Sequence, residues 1–383
     1  MKLTACPLRF HAAAYVQRSR LKRTTVRLRA GTSPAPTVHL CFLSFMERYS
    51  RQILFDGIGR AGQEQLLAAR ALLVGCGALG SSQAEALARA GVGRLRVVDR
   101  DFVEESNLQR QTLFTENDAR ERLPKAVACA RRLAEINSDV KVEAEVADVH
   151  QGNVERLIDG CAVVLDGTDN FTTRYLLNEA CVKQGTNWIY GAAVGSYGVS
   201  MTVRPRVTPC LRCVFEEMPP AASAPTCDTA GVIMPIISVV AAVQVSEALK
   251  LLTGSFGDLH NSLMQFDVWR NEWRRIRLGE PSVNCPVCAR GRYEALDAEA
   301  SEFAAALCGR DAVQIRPQQT TRIDLTRLTE RLRASGEVKV NEYLLRFRAG
   351  EYELTVFPDA RAIIRGTDDV QQARSLYARY VGN

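Results

Sequence analysis

The stretch Ala71–Asp101, ALLVGCGALGSSQAEALARAGVGRLRVVDRD, restricts the fold more than any other part of the chain. Ala71–Val74 is a short apolar run that ends in Gly75-Cys76-Gly77-Ala78-Leu79-Gly80. Apolar residues then recur at helical spacing to Gly91, and a second apolar run, Leu95–Val98, stops at Asp99. Strand, glycine turn, helix, strand and acid, in that order, are the fingerprint of a doubly wound sheet that binds a nucleotide. Gly77 and Gly80 let the backbone come close to a phosphate, and the helix start at Ala78 favours an anion. Asp99 lies nineteen residues after Gly80, where a ribose hydroxyl is held. The pattern does not say which nucleotide, and a turn kept tight for packing alone reads the same.

The segments that leave the strand ends supply polar groups. Asp101–Gln111, DFVEESNLQRQ, follows the second strand at the ligand edge of such a sheet. Arg110 suits a phosphate through paired hydrogen bonds, and Asn107 suits one as a donor. Pro124 opens a helix that runs to about Asn137. Lys125 is then a cation at a helix start, the wrong end for the dipole, and a bound polyphosphate would reverse that penalty. A lysine standing in solvent there costs only about a few tenths of a kcal/mol, so both readings stay open. The strand Ala162–Asp166 ends in Asp166-Gly167-Thr168-Asp169-Asn170, and a helix follows from Phe171 to Lys183. Asp169 is placed to cap that helix. It is equally an acid where magnesium on ATP phosphates needs oxygen ligands, and two acids three residues apart exceed what one cap requires.

Around this frame, Ile53–Ala69 reads as a helical pair broken at Gly57–Gly59 and Gly62. Val140–Val146, Trp188–Ala193 and Gly198–Val203 read as strands, Asn153–Ile158 and Ile236–Leu252 as helices, and Ser262–Leu278 as a hairpin. A boundary falls at 289–300. Beyond it, strands at Glu337–Phe347, Tyr352–Phe357 and Ala360–Arg365 and a helix from Asp368 to Tyr380 describe a small α+β domain over 300–383. It carries no catalytic constellation.

Twelve cysteines in 383 residues do not make a disulfide scaffold. Cys210-Leu-Arg-Cys213 is answered 72 residues later by Cys285-Pro-Val-Cys288. Two such knuckles suit one tetrahedral, structural zinc in a reducing compartment; two unrelated redox or free pairs are the alternative. Glu216–Thr226, EEMPPAASAPT, reads as a loop able to move over a site. Cys227 follows it, just before a helix, as an activated nucleophile or an ordinary half-buried thiol.

The net charge of +6 is misleading. Residues 1–45 hold eight Lys or Arg and no acid, which leaves forty-one basic against forty-three acidic residues in the rest. The body is near neutral and offers no nucleic-acid surface. The basic segment has the composition of a transit peptide, but a disordered extension ahead of Met46 is the favoured reading. The longest apolar stretch, Val232–Val243, is twelve residues and contains Pro235, too short for a bilayer.

With four histidines in the chain, there is no recognisable Ser-His-Asp set, and there is no metal site with an open position. Phosphate-neutralising groups without a general base suit the attack of a carboxylate on the α-phosphate of ATP, because the carboxylate is already ionised at neutral pH. Here the motifs converge. RYSRQ, GCGALG, VVDRD, SNLQRQ, LPK, DGTDN, the paired CxxC units and TCDTAGV fall between Arg48 and Cys288. Together they resemble the ThiF/MoeB/HesA adenylyltransferases, relatives of ubiquitin-activating enzymes, over about 240 of the 383 residues.

The resemblance implies an α/β fold: a Rossmann-like doubly wound sheet continuing into a mixed sheet, with an adenylation domain at 46–290. It implies a cytoplasmic homodimer that adenylates the C-terminal glycine of a ubiquitin-like sulfur carrier, ThiS- or MoaD-like and ending in Gly-Gly. A cysteine desulfurase or other sulfur donor would serve it. Gly77, Ala78, Gly80, Asp99, Asp101, Ser106, Asn107, Leu108, Gln109, Arg110, Lys125, Asp169 and Asn170 would hold ATP. Asp169 would coordinate magnesium, Arg51 would reach the phosphates of the partner subunit, and Cys210, Cys213, Cys285 and Cys288 would bind zinc. Cys227 matches a loop cysteine that some members use covalently and others do not. Two departures stand out: Thr115–Leu123 looks longer than usual, and the tail has no rhodanese-like persulfide loop, Cys308 included. A nicotinamide-dependent oxidoreductase and a non-catalytic adaptor for a ubiquitin-like protein are the competing readings.

Overall fold

A computed structural model describes residues 46–219, 227–298, 303–307, 311–317 and 322–382. The basic segment 1–45, residues 220–226 of the loop before Cys227, and Cys308 lie outside the described residues. The chain divides into two units, Met1–Arg48 and Tyr49–Asn383, and both sheets belong to the second.

The first sheet is built from β1 (Arg70–Val74), β2 (Arg94–Asp99), β3 (Lys141–Val146), β4 (Val163–Asp166), β5 (Asn187–Val194), β6 (Tyr197–Val203), β7 (Ser262–Asp267) and β8 (Glu272–Arg277). Their spatial order is β3-β2-β1-β4-β5-β6-β7-β8. The first five strands are parallel, and β5 to β8 run antiparallel. This is the doubly wound sheet continuing into a mixed sheet that the sequence implies.

Strand alternation explains the layers. Ala71 and Leu73 of β1 face the core under the helices Ala78–Ala90, Lys125–Ile136 and Met234–Leu252, while Leu72 and Val74 face the core under Val154–Ile158 and Phe171–Gln184. The two leucines are fully buried, each worth about 1.5–3 kcal/mol. The helix after β1 and the helix after β4 therefore lie on opposite faces. That opens a crevice between the carboxyl ends of two neighbouring parallel strands, the usual ligand position in such sheets.

Several sequence expectations change here. Gly62 does not break a helix: it lies buried inside Gly59–Ala68, where a Cβ would come within 3.2 Å of Thr253. The helix expected at Ile236–Leu252 starts two residues earlier and spans the nineteen residues Met234–Leu252. It is the one helix among the described residues long and apolar enough to cross a membrane, and half of it is buried against this sheet and its helices. Glu337–Phe347 is not one strand. The Asn341 side chain accepts from the amides of Tyr343 and Leu344 and turns the chain, splitting it into β11 and β12.

The second sheet is antiparallel, in the order β11-β12-β13-β14-β10-β9. Its strands are β9 (Phe303–Leu307), β10 (Ala312–Arg316), β11 (Glu337–Val340), β12 (Leu345–Ala349), β13 (Tyr352–Val356) and β14 (Ala362–Arg365). Val313, Leu345, Phe347, Leu354 and Ile364 pack under the helices Leu325–Leu332 and Val370–Tyr380. The opposite face meets the segment that follows β2, through a small cluster of Phe102, Ala312, Leu344, Phe357 and Ile363.

Candidate nucleotide site and cysteine cluster

The glycine turn is packed backbone on backbone. Gly75 has φ +86°, and a Cβ on Gly80 would lie 1.8 Å from the Gly75 carbonyl oxygen. A Cβ on Gly167, in the turn after β4, would lie 2.4 Å from the same oxygen. Only glycine lets the two turns meet, and the crevice floor is made where they do. Gly77 is the N-cap of the helix Ala78–Ala90. The Gln111 amide would lie 3.8 Å from a Cβ on Gly77, so the segment that ends in Asn107–Gln111 returns to this turn.

Asp99 is buried at the end of β2. Its carboxylate accepts from the Cys76 amide and the Asp101 amide, both at 2.6 Å. Burial raises its pKa above the ordinary carboxylate range; Lys125 and the two amides oppose that shift. The next residues zip onto the segment before the Lys125 helix. Val103 donates to Leu123 O, Phe102 bridges Pro124, and the Lys125 amide donates to Asp101 O. Lys125 is buried, with Nζ 3.5 Å from Asp101 Oδ2, so the solvent-exposed reading is wrong. The Thr115–Leu123 stretch holds a short helix, Glu116–Glu121, closed by a Thr115–Asp118 capping box.

Glu104 and Asn107 form a reciprocal capping box over the 3₁₀ turn Glu105–Asn107. Asn107 is buried, and its side-chain oxygen accepts from the Glu104 amide at 3.2 Å, so its amide N–H groups remain the donors. Arg110 is half-buried and donates to Ser106 O at 2.8 Å, while Ser106 and Gln109 are exposed and Leu108 is half-buried.

At the end of β4 the sequence expectation is corrected. The helix Phe171–Gln184 is capped by Asn170, whose Oδ1 accepts from the Thr173 amide, so Asp169 is not the cap. Asp169 is exposed, and Asp169 and Asp101 both help hold the charge on Arg100 against burial. Asp166 is fully buried and committed to Arg174, 3.2 Å away, and to Thr168. Sequence reading missed Arg174, a charge on a helix whose burial only the tertiary fold reveals. Arg51 is exposed on the short helix Ser50–Ile53. Cys227 is half-buried at the start of a four-residue helix and donates to Ala193 O at 3.4 Å.

The four paired cysteines do come together. Their sulfurs all lie within 4.8 Å of one another, with separations of 3.8, 3.6 and 3.4 Å for Cys210–Cys213, Cys210–Cys285 and Cys213–Cys288. A tetrahedral ion with metal–sulfur bonds near 2.3 Å spaces its sulfurs about 3.8 Å apart, so the cluster could hold one metal ion. The Cys210 and Cys213 sulfurs are in hydrogen-bonding contact, and that contact lowers the Cys213 pKa.

Fold and site thus define a nucleotide-binding enzyme of the doubly wound class, with its polar groups at the carboxyl ends of β1, β2 and β4. The match to the ThiF family model over residues 49–287 is more specific: the chain belongs to the ThiF family. It is 46% identical over 337 residues to the sulfur carrier protein ThiS adenylyltransferase of Bacillus subtilis, covering 88% of this chain and 99% of that one. An alignment of that length cannot fit within 49–287, so the likeness extends into the second sheet. The chain is 38% identical over 252 residues to the SAMP-activating enzyme E1 of Haloferax volcanii, 66% of this chain and 92% of that one. It is 40% identical over 243 residues to mouse adenylyltransferase and sulfurtransferase MOCS3, of which it spans about half, 52%. Among solved structures, E. coli MccB with ATP superposes with a TM-score of 0.55 at 21% identity, covering 67% of this chain and 83% of that one, a likeness of fold.

Proposed function

We infer that this chain is an ATP-dependent adenylyltransferase acting on the C-terminal carboxylate of a ubiquitin-like sulfur carrier. The observation that carries the reading is the convergence of the glycine turn, Asp99, the Asn107–Arg110 segment and the Lys125–Asp101 pair at one sheet edge. The reaction needs no general base. A carrier carboxylate oxygen attacks the α-phosphorus, the new P–O bond forms, and the bond to the β-phosphate breaks to release pyrophosphate. Catalysis is then positioning and charge neutralisation. Gly77, Ala78 and Gly80 receive the phosphates, Asp99 the ribose, and Asn107, Arg110 and Lys125 the charge that builds on the leaving pyrophosphate. The exposed Asp169, with Asn170 beside it, would hold a magnesium ion, which would supply charge neutralisation for the phosphates.

The four cysteines hold a structural zinc in this reading, supported by the sulfur spacing. The active form is a homodimer in which Arg51 reaches the partner subunit's nucleotide; its exposure on the first helix is compatible with that. The name of the Bacillus relative favours a ThiS-like carrier, and so thiazole synthesis, over a MoaD-like one. Cys227 is the residue available for a covalent sulfur-transfer step with a sulfur donor.

The test is exchange of labelled pyrophosphate into ATP, with ThiS-like and MoaD-like carriers added separately. Exchange should require a carrier, favour the ThiS-like one, and fall by about 100-fold or more in Asp169→Ala. Carrier-independent exchange, or none with either carrier, would overturn the reading.

A further inference from the structure

Strand alternation gives the second sheet two unlike faces. One is apolar under its two helices, and the other carries Gln314, Arg316, Arg346, Glu353 and Arg365 toward the first sheet. These groups do not meet an arbitrary surface. Arg365 pairs with Glu104, the N-cap residue of the Glu105–Asn107 turn, whose amide donates to Asn107 Oδ1 and whose carbonyl accepts from the Asn107 amide. Arg361 is buried and donates to Arg100 O at 3.0 Å, at the junction of β2 and the loop. Phe102, between those two anchors, is packed on Ile363 and Ala312, with the Arg365 guanidinium 5.8 Å from its ring. A narrow cleft lined by Asp101, Glu104, Lys125 and Arg365 joins the two regions. Arg361, Arg365 and the apolar cluster thus meet the loop that runs from Asp99 to Arg110, while Gln314 and Arg316 reach Asp148 and Glu353 reaches Arg122.

We propose that the C-terminal sheet is a positioning element for the nucleotide site, with Arg365 acting through Glu104 to hold the turn that presents Asn107 and Arg110. The proposal rests on the reading of that loop as the nucleotide-binding loop. Arg365 touches no substrate. It fixes the side chain of the N-cap residue, whose backbone holds the turn, as an outer group orients an inner ligand. A turn left to fluctuate would lose nucleotide affinity without losing the carrier surface.

The experiment is steady-state pyrophosphate exchange by the full chain, with KM for ATP and for the carrier measured separately, alongside thermal unfolding. Arg365→Gln and Glu104→Gln should each raise KM for ATP about tenfold, leave KM for the carrier within twofold, and barely move the unfolding midpoint. The double variant should be no worse than either single one, because both break the same link. Arg365→Lys should recover part of the loss. A KM for ATP within twofold of wild type in Glu104→Gln overturns the proposal, even if Arg365→Gln fails to fold. So does a parallel loss in both KM values and in stability, which would mark a merely structural contact. Wild-type protein without any exchange would instead remove the nucleotide reading, and this inference with it.

Discussion

Two buried cations stand at the carboxyl ends of β4 and β2, the parallel strands on either side of β1, and their surroundings differ. Arg174, beside the end of β4, is enclosed: it pairs with fully buried Asp166, donates to the carbonyls of Thr168 and Gly191, and lies over the rings of Phe171 and Tyr190. Burial raises the Asp166 pKa even against the attraction of Arg174, whereas at Arg174 the attraction of Asp166 outweighs burial and keeps the guanidinium charged. Lys125, beside the end of β2, faces an acid that is partly exposed and that it meets only at 3.5 Å. Asp101 also has Arg100 at 3.9 Å. The first pair joins β4, β5 and a helix and has little room for a ligand. The second joins the loop after β2 to the start of the helix Lys125–Ile136 beside the crevice, where an incoming phosphate could take the lysine over. Similar chemistry at equivalent strand ends thus serves the fold in one case and, in the proposed mechanism, the reaction in the other.

Breaking each pair should separate the two roles. Arg174→Met keeps the volume but leaves Asp166 buried without its counter-charge, at a cost of about 3–5 kcal/mol. The thermal unfolding midpoint should fall by roughly 6–20 °C. A shift under about 2 °C would show that the pair is not what holds β4 to β5. Lys125→Met keeps the apolar stem, Asp101 keeps Arg100 and solvent, and buried Asp99 keeps the Cys76 and Asp101 amides when the lysine charge is gone, so stability should change by no more than about 1 kcal/mol. Pyrophosphate exchange should nevertheless drop about 100- to 1000-fold, the loss of one donor aimed at developing charge. If stability fell with activity in that variant, the contrast between the pairs would collapse.

What could be read from the chain follows the range of the interactions. The parallel strands, the glycine turn, the helix at Pro124 and the four cysteines rest on local spacing, and the structure has them where the sequence puts them. Asp169 and Asn170 are both possible caps in the sequence because Asp and Asn satisfy the same amide donors, and only geometry shows that Asn170 takes the role. Gly62 looked like a breaker because its reason, close packing on Thr253, lies 191 positions away in sequence. Strands β9 and β10 and the helix Leu325–Leu332 were missed, although Leu325, Leu328 and Leu332 carry a helical period. Glu104–Arg365 was out of reach: its partners are 261 residues apart, and neither belongs to a motif.

Between enclosed Arg174 and open Lys125 lies a third kind of pair, which joins the two sheets. Glu353 is about one-fifth exposed and is held by Arg346 at 2.7 Å and by Arg122 of the first sheet's loop at 3.5 Å. Burial alone would raise its pKa, but the Arg346 hydrogen bond and the surrounding guanidinium charges outweigh it and lower the pKa below the ordinary glutamate value. A carboxyl group whose pKa is depressed on folding adds stability that is present above its unfolded value, near about 4.3, and is lost as pH falls through the folded value below that. The gain is small, under about 1 kcal/mol, because water screens the pair. Wild type should therefore melt slightly above Glu353→Gln at pH 7, by no more than a few degrees, and the gap should close as the pH drops below about 4. A gap that stayed constant to pH 3 would mean that the glutamine variant loses packing and not charge. The two sheets would then be joined mainly by Phe102 and its apolar neighbours, and the arginine face would matter for the loop it touches more than for stability.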